Sequence, residues 1–163
     1  MRLYIVLLLP IINYYKCIII SGKDESKIKP EKDKNGYICP KISSMSNGII
    51  IIPTFNEIEN IERLIRNIFY LQRKFHILVV DDNSPDQTAA KVKELQAEYF
   101  GSLFIEEREG KLGLGTAYIH GFRWALSHKY EYVFEMDADF SHNPNDLIRL
   151  YNTCEKNGAD LAI

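Results

Sequence analysis

Runs of apolar residues alternate with helical stripes along positions 45–163 of this chain of 163 residues. Isoleucine fills positions 49–52, which predicts a strand buried on both faces of a parallel sheet. From about 57 to 72 the apolar residues recur at helical spacing, with charged residues on the opposite face. A second strand is predicted over His76–Val80, and acidic residues follow it directly.

The same alternation continues towards the carboxyl terminus. A second helical stripe is followed by a short strand over Leu103–Ile105, and the charged segment Glu106–Gly110 is predicted to be a loop. A third helix leads to a fourth strand over Tyr132–Met136, a fourth helix begins near Asn143, and Asp160–Ile163 resembles the beginning of a fifth strand. This order predicts an α/β fold with a mainly parallel sheet. Because the chain stops there, we expect the sheet to be incomplete at the carboxyl terminus, with an open edge.

The first 44 residues have a different pattern. An apolar run over 3–20 is interrupted by Pro10, Asn13 and Lys16, and the Lys-rich stretch from Ser21 to Ser44 is typical of a linker. The run is a weak membrane anchor or a signal peptide, or else the segment is foreign to the fold and the start is mis-assigned. Lysines after an anchor would hold the following domain on the cytoplasmic side. We therefore divide the chain into a segment 1–44 and a domain 45–163.

Charge narrows the classes of function. The chain is 46% hydrophobic, which is enough for a core. Residues 1–44 carry eight Lys/Arg and four Asp/Glu, a net +4, so the other twelve and eighteen give residues 45–163 a net −6. An acidic domain is a poor candidate for binding nucleic acid through its phosphates. The odd set Cys17, Cys39 and Cys154 has no metal-ligand spacing and fits a reducing compartment.

Polar groups end three of the predicted strands: Pro53–Glu57, Asp81-Asp82 and Asp137–Asp139. Asp137 and Asp139 are two residues apart, so in an extended chain they project to the same side and fit a hard divalent cation. A solvated Asp-rich turn is the alternative for this pair taken alone. Three polar strand ends in one small domain predict a shared pocket, because ligands bind at the carboxyl edge of such sheets.

Residues 108–121 are the other candidate for ligand binding. The glycines after Lys111 let the backbone approach a ligand closely, and Lys111 itself could meet a phosphate. A solvated loop lysine is the alternative interpretation. Tyr118 and Trp124 are interpreted as core residues or as the wall of a pocket.

Four motifs together resemble a known family. They are Ile-Pro-Thr-Phe-Asn-Glu at 52–57, Val-Asp-Asp-Asn-Ser-Pro-Asp at 80–86, Arg-Glu-Gly-Lys-Leu-Gly-Leu-Gly-Thr-Ala-Tyr-Ile-His-Gly at 108–121 and Met-Asp-Ala-Asp-Phe-Ser-His-Asn-Pro at 136–144. In this order they resemble the dolichyl-phosphate (polyprenyl-phosphate) mannosyltransferases, within the family-two inverting glycosyltransferases. The resemblance covers about residues 47–163. It implies a GT-A fold, which is a Rossmann-like nucleotide-sugar-binding domain.

The resemblance also implies roles for the first two motifs. Pro53, Phe55 and Glu57 would line the nucleotide pocket, and so would Val80 and Asp82. Phe55 stands where the family usually has tyrosine, which keeps a surface for stacking but lacks the hydroxyl.

The fourth motif would hold the donor sugar and the metal. By the resemblance, Asp137 and Ala138 contact the nucleotide sugar, and Asp139 is the main Mg²⁺ or Mn²⁺ ligand with Asp137 assisting. These two aspartates are the predicted catalytic residues. Ser141 stands where some relatives have a polar contact to metal or sugar.

The implied reaction is transfer of mannose from GDP-mannose to a polyprenyl (dolichyl) phosphate at the cytoplasmic side of the membrane. A phosphate monoester is mostly ionised at neutral pH, so this nucleophile needs no general base. Basic residues and membrane-contacting segments of the family would lie past residue 163, so we expect the isolated chain to be poorly stable or inactive. Alternatives are another donor such as UDP-glucose, another acceptor, a non-catalytic nucleotide-sugar-binding module, and a phosphoacceptor receiver domain.

Overall fold

The computed structural model describes residues 2–6, 18–21, 46–157, 159 and 162, and its described strands form a six-stranded sheet in the order β2-β1-β6-β3-β4-β5. Neighbouring strands are parallel except for the antiparallel pair β1 and β2. The elements are β1 Arg2–Val6, β2 Ile18–Ser21, β3 Gly48–Thr54, α1 Ile61–Phe69, β4 His76–Asp81, α2 Thr88–Glu98, β5 Leu103–Glu107, α3 Leu114–Ser127, β6 Tyr132–Glu135 and α4 Asp146–Asn157.

Strand β3 lies at the centre of the core because its isoleucines supply both faces. Ile50 and Ile52 pack with side chains of α1, α2 and α4, whereas Ile49 and Ile51 pack with those of α3. All four side chains are fully buried. Burying one isoleucine stabilises a fold by about 1.5–3 kcal/mol, so this strand stabilises the core on both faces of the sheet. The predicted α/β fold with helices on both faces of a parallel sheet is confirmed.

Several predicted boundaries differ from the structure, and two of these differences change an element near the carboxyl edge of the sheet. The first helix was predicted from about 57 to 72 but runs only over Ile61–Phe69, because the preceding residues form a turn held by side chains of the next loop. Glu106 was predicted to begin a loop, yet Glu106 and Glu107 continue β5 and pair with Val80 and Asp81. Backbone pairing with β4 satisfies their amides and carbonyls while their side chains remain accessible to solvent.

Both ends of the chain are described only in part. Strand β1 pairs in parallel with β6 through positions 4–6, so it covers one side of β6. The linker predicted from Ser21 to Ser44 lies outside the described residues beyond Ser21. Within the predicted fifth strand, the structure describes only Ala162, which is buried. Ala159, which precedes this strand, is also described. In the described part of the chain, no helix combines the length and apolarity needed to cross a membrane.

The register of the sheet brings three strand ends together. Thr54 at the end of β3 pairs with Asp81 at the end of β4, and Ile51 of β3 pairs with Glu135 at the end of β6. The residues that follow these strands therefore leave the sheet at one edge. This is the carboxyl edge, where open α/β sheets bind ligands.

Candidate active site

A cavity of about 250 Å³ lies at the carboxyl ends of β3, β4 and β6. Eight of the ten sequence-predicted site residues line it, together with four neighbours, one of which is the first of the glycines after Lys111. The lining consists of Pro53, Thr54, Phe55, Glu57, Asp82, Lys111, Gly113, Leu114, Ala117, Asp137, Ala138 and Asp139. The structure therefore brings the acidic strand ends and the glycine-rich segment around one space.

Val80 and Ser141 lie outside this lining. Val80 is fully buried and packs against α3, so it supports the floor of the site. Ser141 lines a larger cavity of about 630 Å³ between α1 and the loop after β6. The larger cavity is lined by amide, aromatic, apolar and hydroxyl side chains and by His142, whereas the smaller one holds the carboxylates and the lysine. We take the smaller cavity as the candidate site, and the ligand roles of Val80 and Ser141 stay predictions.

The two aspartates after β6 are held in different ways. Asp139 is exposed, and its Oδ1 accepts a hydrogen bond of 2.8 Å from the Ser141 amide. Hydrogen bonds from the amide and side chain of Ser141 hold the pKa of Asp139 below its usual range, so this group is ionised at neutral pH. Asp137 is half-buried, and its Oδ1 accepts a hydrogen bond of 2.8 Å from the Tyr118 hydroxyl.

The donor set of this cavity fits a divalent cation that is shared with a substrate. Mg²⁺ and Mn²⁺ prefer oxygen ligands, and Mg²⁺ commonly takes one or two carboxylates and completes its shell with water and phosphate oxygens. Asp137 and Asp139 supply those two carboxylates. Among the residues that the structure describes, no group of three or more His, Cys, Asp or Glu side chains could hold a metal ion. The cation-binding role of Asp137 and Asp139 stays a prediction.

A buried carboxylate fixes the turn after β3. Asp81 is fully buried and accepts hydrogen bonds from the Thr54 hydroxyl at 2.7 Å and from the Ser84 amide at 2.8 Å. The Ser84 hydroxyl in turn accepts a hydrogen bond of 3.0 Å from the amide of Asn56, which has a left-handed φ of 62°. Asparagine tolerates this conformation better than most residues, so the turn that carries Phe55 is set locally.

A second carboxylate fixes the next residues of that turn. Asp86 accepts hydrogen bonds from the Ile58 amide at 3.0 Å and from the Thr88 hydroxyl at 2.6 Å. Burial raises the pKa of Asp86. Hydrogen bonds from the Thr88 hydroxyl and from the backbone amides of Ile58 and Thr88 outweigh burial and leave this pKa below its usual range. The Glu57 amide donates to Thr88 Oγ1 at 3.0 Å. These contacts join the loops after β3 and β4 into one rigid rim.

Asp82 and Arg108 form a buried ion pair that the sequence did not reveal. Both side chains are only 7% exposed, and the Arg108 guanidinium contacts Asp82 Oδ1. Asp82 Oδ2 accepts hydrogen bonds from the amides of Leu112 and Gly113 at 3.1 and 3.3 Å. The ion pair therefore holds the glycine-rich segment against β4. Arg108 stands inside the third motif, so its place in the motif was the available signal.

Lys111 reaches over the cavity from that segment. Its Nζ lies 4.2 Å from the centre of the Phe55 ring, which is within the range of a cation–π contact. Because the side chain is exposed, its ammonium group retains access to solvent and to a ligand. The contact places one positive charge at a cavity that otherwise carries several carboxylates.

Comparison with known proteins agrees with this geometry. Residues 49–163 match the profile of the family described as Glycosyl transferase family 2. The chain belongs to glycosyl transferase family 2. It is 44% identical over 115 residues to polyprenol monophosphomannose synthase of Mycolicibacterium smegmatis, a match that covers 71% of this chain and 43% of the relative. It is 43% identical over 115 residues to undecaprenyl-phosphate mannosyltransferase of Micrococcus luteus, covering 71% of this chain and 46% of the relative.

The fold of the family 2 domain is also seen in a solved structure. The structure of residues 1–349 of TarS from S. aureus is similar to this chain, with a TM-score of 0.54 and 24% identity. The match covers 67% of this chain and 32% of the TarS chain. This similarity shows the GT-A type of fold alone. The present chain spans less than half the length of each of these two curated relatives.

The family 2 match begins inside β3, so the site described above lies within it. Strands β1 and β2 precede the matched region. Two site features were missed by reasoning from sequence: the Arg108–Asp82 ion pair and the hydrogen bond from Tyr118 to Asp137. Both contacts depend on where α3 and the loop before it lie relative to the sheet. A short sequence motif does not determine that placement.

Proposed function

We propose that this chain is the nucleotide-sugar-binding part of an inverting, metal-dependent mannosyltransferase that transfers mannose from GDP-mannose to a polyprenyl phosphate. The observation that carries the proposal is the shared cavity of Asp137, Asp139 and Lys111 at the carboxyl edge of the sheet. The names of the curated relatives support the sugar and the class of acceptor. The site would lie at the cytoplasmic surface of a membrane, where a lipid phosphate is accessible.

Each proposed contact follows from chemistry that the cavity offers. Phe55 would provide a flat apolar face for the base, Glu57 would accept hydrogen bonds from it, and Asp82 would hold the glycine-rich segment beside it. Lys111 would approach the diphosphate. Asp137 and Asp139 would hold Mg²⁺ or Mn²⁺ against the same diphosphate, and the bound cation would neutralise charge on the leaving group.

The proposed transfer is a single displacement at the anomeric carbon of mannose. An oxygen of the lipid phosphate forms the new bond to that carbon while the bond to the diphosphate oxygen breaks, and GDP departs with the electron pair. The acceptor oxygen is already ionised at neutral pH, so no proton has to be removed. This chemistry suits a cavity whose carboxylates would be committed to the cation and the nucleotide.

Calorimetric titration of the chain with GDP and UDP, each with and without Mn²⁺, tests the proposal. We expect GDP to bind more tightly with Mn²⁺ than without it, and more tightly than UDP. Glu94→Gln, an exposed acid on α2, serves as the matched control for Asp139→Asn, because both remove one surface charge. A preference for UDP would replace the mannosyl donor with another sugar nucleotide. A folded chain that binds neither nucleotide would contradict the proposal.

A further inference from the structure

The Tyr118 side chain connects helix α3 to the proposed metal site. Tyr118 belongs to the core that α3 forms with the sheet and is only 4% exposed. Its hydroxyl donates a hydrogen bond of 2.8 Å to Asp137 Oδ1. A buried hydroxyl needs a partner, and here the partner is a carboxylate that lines the cavity. Most of the ring is therefore core, while its one polar atom reaches the site.

Helix α3 is held firmly at its beginning. Gly113, which precedes the helix with φ of 97°, donates its amide to Asp82. Arg108 contacts Asp82 and also donates to Thr116 Oγ1 at 2.7 Å, within the first turn of α3. The position of Tyr118 along the helix axis is consequently fixed by the end of strand β4.

The same helix also lies very close to the sheet. A Cβ atom built on Gly121 would lie 2.5 Å from Ile51 Cγ2, so only glycine permits this approach. Ala117 and Ala125 are the other small residues on the buried face, and Tyr118 is the large one. Phe122 stacks on its ring with 6.4 Å between centroids. The hydroxyl therefore has little freedom to move away from Asp137.

These contacts restrict Asp137 in a way that suits a metal ligand. One carboxylate oxygen accepts the Tyr118 hydroxyl, and Asp137 lines the cavity, so its second oxygen can serve a ligand there. Asp139 has no comparable side-chain support from the core: it is exposed and accepts the Ser141 amide. Groups that hydrogen-bond a metal-ligating carboxylate orient it and commonly affect metal affinity 10–100-fold.

We propose that Tyr118 is a positioning residue that orients the Asp137 carboxylate towards a divalent cation at the nucleotide-sugar site. This inference rests on the proposed function, since it requires that Asp137 binds a cation there. Burial of the ring alone does not explain why the residue at position 118 carries a hydroxyl group. Phenylalanine would fill the same volume, so the hydroxyl is the part to test.

The test compares Tyr118→Phe with Tyr130→Phe. Tyr130 is also buried, and its hydroxyl lies 2.5 Å from His76 Nδ1, but it is at the opposite edge of the sheet. For the wild-type chain and each variant, the Mn²⁺ affinity is measured by electron paramagnetic resonance of free Mn²⁺ at saturating GDP. GDP binding without metal and the melting temperature are measured in parallel.

We expect Tyr118→Phe to weaken Mn²⁺ binding about 10-fold while Tyr130→Phe leaves it unchanged. Metal-free binding of GDP should be the same in all three proteins. In an Asp137→Asn background, Tyr118→Phe should cause no further loss of Mn²⁺ affinity, because the hydroxyl acts through Asp137. Tyr118→Met also lacks the hydroxyl and replaces Tyr118→Phe if that variant does not melt cooperatively.

Equal Mn²⁺ affinity in Tyr118→Phe and wild type would overturn the inference while leaving the proposed function intact. Equal losses in both tyrosine variants would show a general effect of core packing and would also overturn it. Absence of Mn²⁺-dependent GDP binding in the wild-type chain would instead reject the proposed function, and the inference with it.

Discussion

The amino and carboxyl edges of the parallel sheet both carry charged and polar side chains. Only at the carboxyl edge do these side chains remain available to bind a ligand. At the amino edge, Asn47 donates to Glu131 Oε2 at 2.9 Å and accepts from Arg73, whose guanidinium lies 3.3 Å from the centre of the Tyr151 ring. At the carboxyl edge, Asp139 and its neighbours face a cavity of about 250 Å³. The density of polar groups is therefore a poor sign of a site; groups that face open space are a better one.

The amino edge has a smaller cavity of about 180 Å³, and its polar groups largely satisfy one another. His76 Nδ1 lies 2.5 Å from the Tyr130 hydroxyl, and the Ser46 hydroxyl donates to the carbonyl of Lys74 at 2.8 Å. Such a network ties β3, β4 and the segment before β6 together. We interpret the amino edge as the structural end of the domain and the carboxyl edge as the functional end.

The largest expected effect comes from Arg108, because its ion pair with Asp82 contributes both to stability and to the position of the glycine-rich segment at the carboxyl edge. Replacing it by methionine would leave Asp82 buried without its partner, a change that typically costs about 3–5 kcal/mol. Urea unfolding should show that loss, and GDP binding with Mn²⁺ should weaken because the glycine-rich segment is released.

Arg66→Met is the matched control for Arg108→Met. Arg66 also contacts carboxylates, those of Glu62 and Glu98, but its side chain is 41% exposed. Exposed ion pairs contribute little to stability, so this variant should be nearly as stable as the wild type. Equal losses in the two variants would mean that burial of the Arg108 pair contributes nothing.

The difference between the two edges also determines which features of the fold and of the site the sequence could predict. The four-isoleucine strand and the acidic strand ends were predicted because each depends on local pattern and on the rule that parallel strands end at one edge. Seven of the eight predicted residues that line the cavity stand at or just after strand ends, whereas Lys111 reaches it from the segment before α3. Val80 does not line the cavity, because β4 continues to Asp81 and keeps the Val80 side chain in the core; its ligand role stays a prediction.

What the sequence did not predict depends on contacts between distant elements. Arg108 belongs to a charged stretch typical of a solvated loop, and its burial follows only from the packing of that loop on Asp82. Glu106 belongs to the same stretch, yet pairing with Val80 makes it part of a strand. The direction of the Tyr118 hydroxyl depends on how closely α3 approaches the sheet.

The next prediction concerns Glu135, at the end of β6. This residue is 2% exposed, and its Oε2 atom has no hydrogen-bond partner in the described part of the molecule. Burial, and then the charge of Asp137, raises the pKa of Glu135 to about 8. Between the unfolded value of 4.5 and about 8, the folded state binds a proton that the unfolded chain has released, so stability falls as pH rises through this window.

Glutamine at position 135 does not ionise and should avoid that loss. We expect Glu135→Gln to match the wild type near pH 4 and to exceed its unfolding free energy by on the order of 4 kcal/mol near pH 9. Urea unfolding in EDTA at both pH values checks this. Glu109→Gln, an exposed acid in the loop after β5, should show no such gain. A gain that is equal at both pH values would exclude ionisation as its cause.

A third prediction separates ligand binding from stability at the carboxyl edge. Asp139→Asn keeps an oxygen for the Ser141 amide but removes the charge that a cation needs. We expect Mn²⁺-dependent GDP binding to weaken about 100-fold, equivalent to about 2.7 kcal/mol. Because the side chain is exposed, the melting temperature should stay close to that of the wild type. Unchanged GDP binding would remove Asp139 from the proposed metal site.

The smallest predicted effect concerns Asn47 at the amino edge. Its amide donates to Glu131 and to the Tyr151 hydroxyl and accepts from Arg73, so Asn47→Ala should cost about 1–2 kcal/mol of unfolding free energy. Asn67→Ala, on the exposed side of α1, should change stability by less than about 0.5 kcal/mol. Neither variant should alter Mn²⁺-dependent GDP binding. If Asn47→Ala weakened that binding as strongly as Asp139→Asn, the two edges would be energetically coupled, and their separation into a structural and a functional end would be wrong.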